Sequence, residues 1–226
     1  MSRTGTGTIE KGEMEVVVAE TGVAANAFIG VCLTQDPSQT AGSSLVDYIE
    51  KENGVGFTIH LTGAPTTDVT FDYYLQTKEG ASNVVKDDRS VEVTDSGLAS
   101  DFVVTTQFVE SPSEKSGGVV QKYVVIDSAT QFTLHLSNTP DNTAEFDYYF
   151  VVADADATIS KGDDLCIVED ASVAADSFVI IMFTQDTSTA SMGASVEWVE
   201  KTVGVGFTLH LNNAVQQDVT FHYLLA

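Results

Sequence analysis

Three stretches decide how this chain is read: Gly56-Phe57-Thr58-Ile59-His60-Leu61, Gln131-Phe132-Thr133-Leu134-His135-Leu136 and Gly206-Phe207-Thr208-Leu209-His210-Leu211. In each, apolar residues alternate with Thr and His. A period of two is the pattern of a β-strand with one buried face. The histidines stand at 60, 135 and 210, so the interval is 75 residues both times.

A second alternating stretch follows each of the first. Val69-Thr70-Phe71-Asp72-Tyr73 is repeated as Ala144-Glu145-Phe146-Asp147-Tyr148 and as Val219-Thr220-Phe221-His222-Tyr223. Phe71, Phe146 and Phe221 keep the same interval. The first and third copies align without a gap, with about 30 of about 69 positions identical. The middle copy diverges, carrying Ala129-Thr130-Gln131 in place of Gly-Val-Gly, and its alignment suggests a one-residue shift near Asp101-Phe102. Three such copies account for the whole chain of 226 residues. The expected division is 1–77, 78–152 and 153–226, with short linkers at 78–82 and 153–156.

Further strands are expected at 15–19, 28–34 and 45–50 and at their counterparts, giving five or six per copy and roughly 15–18 in all. Turn residues such as Asp36-Pro37-Ser38 separate them, and no segment carries a 3.6-residue period. The fold class is therefore all-β: three tandem antiparallel β-sandwich repeats of about 75 residues. One strand in the first and third copies breaks the alternation. Phe178-Val179-Ile180-Ile181-Met182-Phe183 is apolar on both faces, and Phe28-Ile29-Gly30-Val31-Cys32-Leu33 nearly so. One face serves its own copy and the other needs a second cover. A single 24 kDa body should expose roughly 10,000 Å², against roughly 13,000 Å² for three separate ones. These two points favour copies packed as a pseudo-threefold body over three beads on a string.

Composition narrows the role. Ten basic against 33 acidic residues leave a net charge of −23, which disfavours binding to nucleic acid or to an anionic membrane. No apolar run reaches the roughly 18–20 residues of a membrane span. Met1 to Gly5 lead into a Gly/Thr run rather than an apolar core, so the chain reads as one without a signal peptide, made in a cytoplasm. Cys32 and Cys166 read as small buried hydrophobes.

Candidate sites are few. His60, His135 and His210 would converge on a threefold axis if their strand's polar face pointed inward, and three imidazoles would suit a transition metal. The competing reading places them on the solvent face or in hydrogen bonds to a neighbouring loop. His222 stands where the other copies have Asp72 and Asp147, a slot read as exposed. Asp87-Asp88, Asp154, Asp156 and Asp163-Asp164 read as solvated turns, since no twelve-residue calcium loop is present. Tyr48 and Trp198 occupy equivalent slots and are candidates for contact with a partner such as a glycan, or for packing. Tyr73 and Tyr148 fall on the buried face. No nucleophile elbow or phosphate loop occurs. No enzyme activity and no cofactor are expected.

The pattern Gly-x-Gly-Phe-Thr-[Ile/Leu]-His-Leu followed by Asp-Val-Thr-Phe-x-Tyr, at 54–61 with 68–73 and at 204–211 with 218–223, resembles a β-module of phage structural and bacterial surface proteins. The middle copy lacks both glycines. The resemblance is structural and brings no site residues. It implies a virion location, most like the decoration (cement) proteins of tailed-phage capsids, which often sit as trimers at local threefold positions. The expected partner is then a major capsid protein or another virion protein, with self-association as a further possibility. A cell-surface or tail-fibre module binding glycans, and a self-assembling filament subunit, are the alternatives.

Overall fold

The computed structural model describes residues 3–37, 44–112, 119–187 and 194–226. They form eighteen strands and no helix. The first repeat holds β1 (Arg3–Ile9), β2 (Glu15–Ala19), β3 (Ala27–Leu33), β4 (Val46–Glu52), β5 (Gly56–Leu61) and β6 (Val69–Thr77). The second holds β7 (Gly80–Val84), β8 (Ser90–Thr94), β9 (Phe102–Phe108), β10 (Gln121–Ser128), β11 (Gln131–Leu136) and β12 (Ala144–Val152). The third holds β13 (Ala155–Ile159), β14 (Leu165–Glu169), β15 (Val179–Phe183), β16 (Val196–Thr202), β17 (Gly206–Leu211) and β18 (Val219–Leu225).

Every repeat is built from two three-stranded antiparallel sheets. In the first they run β1-β6-β3 and β2-β5-β4, and the other two repeats follow the same order. The central strands are the two whose alternation was plainest. Phe57, Ile59 and Leu61 on β5 face Phe71, Tyr73 and Leu75 on β6, with Ile9, Ile29 and Ile49 closing the core. Phe57 meets Tyr73 edge-on at 5.2 Å; Phe132 meets Tyr148 at 5.4 Å and Phe207 meets Tyr223 at 5.2 Å in the same geometry. The buried phenols keep a polar partner. Tyr148 donates to Asp95 at 2.9 Å and Tyr223 to Asp170 at 3.1 Å.

Register settles the alignment. Ala27 stands opposite Thr77, and Phe102 opposite Val152, each 75 residues on. The shift expected near Asp101-Phe102 is absent: the middle copy changes side chains there without changing length. It does differ at the β10–β11 turn. Gly54 and Gly204 take the left-handed φ of 75° and 72° that turns the other two hairpins, a region glycine enters without steric cost. The middle copy absorbs their loss through a bulge between Ile126 and Ser128. The links between repeats are shorter than expected. Only Lys78-Glu79 and Ala153-Asp154 lie between the flanking strands, because Gly80 and Ala155 already pair with β12 and β18.

The doubly apolar strand is β3, with β15 as its third-repeat counterpart. Ile29 and Leu33 enter the first repeat's own core. Phe28 faces the other way, 5.9 Å from the Tyr149 ring of the second repeat. Tyr74 stacks on Phe178 of the third at 5.8 Å. Gly30 leaves room for that ring, since a Cβ there would lie 3.3 Å from it. The contacts close a circuit: β4 meets β9, β10 meets β15, and β16 meets β3. The three sandwiches thus pack around a pseudo-threefold axis lined by β3, β9 and β15. The accessible surface is 10129 Å², the roughly 10,000 Å² of one compact body.

An equivalent Lys–Asp pair crosses two of the three seams. Lys51 of the first repeat pairs with Asp147 of the second, and Lys201 of the third with Asp72 of the first at 2.6 Å. Asp147 is 1% exposed and also meets Lys78. This corrects the reading of the Asp72/Asp147/His222 slot as exposed. These positions lie on the polar face of their strands, but that face is covered by the next repeat. In the remaining seam the same positions hold Ile126 and His222, so both members of the pair have changed. His222 turns instead to Asp156 on the neighbouring strand. Replacing Asp147 by Ala strands Lys51 and Lys78 against each other. It should cost ~3 kcal/mol of unfolding free energy, read from urea melts against the parent chain.

Candidate functional site

The pseudo-threefold axis is not filled. A half-open cavity of about 180 Å³ lies where β3, β9 and β15 approach the starts of β4, β10 and β16. A second, of about 130 Å³, continues from it toward Phe28 and Phe178. The two share Cys32, Thr105, Gln107 and Ile181 on their walls. The lower part is mostly apolar. The upper part carries Asp47, Lys122 and Glu197, which occupy the same position in the three repeats.

That position is built by a repeated irregularity. Register shifts fall between Val46 and Tyr48, between Gln121 and Tyr123, and between Val196 and Trp198. A bulge re-aims the extra side chain out of the regular alternation. Here it turns residues 47, 122 and 197 toward the axial cavity and the next repeat. Each then meets a different environment. Lys122 pairs with Asp186 of the third repeat at 2.7 Å. Glu197 lies near Asp36 of the first repeat, and burial, reinforced by that carboxylate, raises its pKa. Asp47 is 9% exposed. Burial pushes it up to about 6, and the backbone N–H of Val119 in the second repeat opposes the shift only in part. Among the described residues its Oδ1 has no hydrogen-bond partner.

The histidines and aromatics form a second repeated device. Tyr48 stacks on His60 at 4.0 Å, Tyr123 on His135 at 4.2 Å, and Trp198 on His210 at 3.6 Å. Each pair crosses from the edge strand to the central strand of its own sheet. The aromatic then packs against the core of the next repeat: Tyr48 against the second, Tyr123 against the third, Trp198 against the first. Tyr48 and Trp198 are therefore wedges in the seams rather than free platforms. Each histidine is taken up by its own stack. Among the described residues no group of three or more His, Cys, Asp or Glu side chains is placed to hold a metal ion. Burial lowers the pKa of His135 and His210, so both rings stay neutral to lower pH than an exposed histidine.

Cys32 lies on the axial wall, and burial pushes its thiol up to about 12, which leaves it without nucleophilic character near neutrality. Cys166 is half-buried, and both cysteines are free thiols. Sequence reasoning did not single out Asp47, Lys122 or Glu197. The signal was present: three equivalent positions, otherwise flanked by similar residues, carry an acid, a base and an acid. A comparison with protein-family models, with curated proteins and with solved structures finds no match to this chain.

Two outcomes follow. The Asp47 pKa is higher folded than unfolded, so ionisation weakens the fold. Stability is greatest below pH 4 for this group and declines as pH rises toward 6. The parent chain should therefore lose up to ~3 kcal/mol relative to Asp47→Asn between pH 4 and pH 7, measured by denaturant melts across that range. Trp198→Ala removes a stacked ring from the seam between the third and first repeats and should cost ~3–4 kcal/mol in the same assay.

Proposed function

We propose that this chain is a non-enzymatic virion structural protein, a decoration or cement subunit that seats on the outside of a capsid as a fused pseudo-trimer. One observation carries the reading: a single chain closes three equivalent sandwiches around one axis. Their equivalent loops and strand ends are thereby presented together with near-threefold symmetry. A closed symmetric body matches a symmetric site, because each lobe can repeat the same contact. Covalent fusion removes the association entropy that three separate subunits would lose on assembling.

Other features agree. The repeats lack an inserted loop or domain that would mark an active site, and the buried thiol at the axis is inert. The acidic surface keeps free chains apart before assembly. The glycan-binding alternative loses its platform, since Tyr48 and Trp198 are committed to the seams. The capsid surface is the partner this reading requires, and the virion the location.

The test uses capsids of the virus encoding the chain, prepared without it. Purified protein is titrated onto them, and bound mass is read by sedimentation and by electron-microscopic reconstruction. Saturation at one chain per local threefold position, with added density there, is the expected result. No saturable binding at that symmetry would sink the proposal.

A further inference from the structure

The axial cavity differs from the other hollows of this surface in its lining, which brings Asp47, Lys122 and Glu197 together above apolar walls. We infer that it is a socket for a cationic alkyl side chain, the ammonium of a lysine or the guanidinium of an arginine, supplied by the partner on which this end of the body seats. The inference rests on the proposed seating for the source of that side chain. It rests on the cavity itself for the chemistry.

Three observations select the ligand class. First, Asp47 lies on the cavity wall, nine-tenths buried, with Oδ1 unpartnered among the described residues. An unmet buried acceptor is costly, and a charged N–H donor is the group that best satisfies it. Second, the charge balance of the mouth among the described residues is negative. Asp47 and Glu197 face one cation, Lys122, and that lysine is already held by Asp186. An anion would meet two carboxylates and, among the described residues, no free base. Third, the walls between these groups are apolar, with Leu33, Phe108 and Phe183 among them, which suits a methylene stem.

Size and donor set exclude the rival occupants. A volume of about 180 Å³ exceeds the ~150 Å³ that accommodates benzene in an engineered cavity, so a side chain of five to seven heavy atoms fits. A divalent ion would need more oxygen ligands held together than the described residues bring to one place. A neutral apolar ligand would leave the Asp47 oxygen unmet.

The probes are n-butylammonium and n-butylguanidinium, with n-butanol as the neutral comparison and calcium as the metal comparison. Each is titrated into the full chain and followed by amide NMR shifts at Thr105, Gln107 and Val46. Saturable shifts with the two cations, at least tenfold weaker with n-butanol, are expected. Asp47→Asn should weaken the cations by about tenfold or more. Lys122→Met should tighten them severalfold, a gain that a misfolded chain could not produce, so it carries the test even if the Asp47 variant is unstable. Equal response to n-butanol, a stronger response to calcium, or indifference to both substitutions overturns the inference. The seating is judged apart from it. If Asp47→Asn saturates capsids as the parent chain does and the probes fail, the socket is wrong and the seating stands. If the cations bind as expected but capsids do not, the socket stands and the partner is another one.

Discussion

The rest of the molecule depends on two strands, β3 and β15, that are apolar on both faces, and on β9, which joins them at the axis. Burying β3 on one side only would leave Phe28 exposed in the first repeat, and β15 would leave Ile180 and Met182 exposed in the third. Each sandwich has about 75 residues, a size at which one core is marginal. Placing the three strands around a common axis satisfies both needs at once. The outward faces of the three small cores become the wall of a fourth interior.

The seams show what fusion into one chain permits. A trimer of identical subunits must use the same residue at each interface. Here the Lys–Asp pair that crosses two seams gives way to Ile126 and His222 in the third. The bulge position likewise holds Asp47, Lys122 and Glu197. These differences break the symmetry of the axis while keeping its shape. They also concentrate unequal charge at one end, and the only buried, unpartnered carboxylate oxygen among the described residues is there. The lower end is occupied by the aromatic rings of Phe28, Tyr74, Tyr149 and Phe178.

The same logic accounts for the histidines. Their regular interval suggests ligands gathered on an axis, but the strand that carries them is the centre of the outer sheet. Its polar face meets the edge-strand aromatic of its own sheet, not its two counterparts. The repeated stack of Tyr or Trp on His is a packing device. It stiffens the edge strand that reaches into the next repeat, and that task explains why the pair recurs in all three copies.

Much of this was legible from residues in order. The interval of 75, the alternation on β5 and β6, and the two-faced strand specify the class, the repeat and the need for contact between copies, because period and burial are local properties of a strand. The polar face of β6 was misjudged for the same reason. Asp72, Asp147 and His222 alternate with buried residues, and alternation alone cannot distinguish a face covered by water from one covered by another repeat. The unequal charges at 47, 122 and 197 were visible in the sequence, but the bulge that turns them to the axis was not, since one extra residue in a strand shows only when its partner is known. Which side chains meet across the axis depends on how three sandwiches rotate against each other. That rotation follows from the fit of Phe28, Gly30 and Phe178 with Tyr74 and Tyr149, a matter of volume between residues far apart in the chain, and only the tertiary structure decides it.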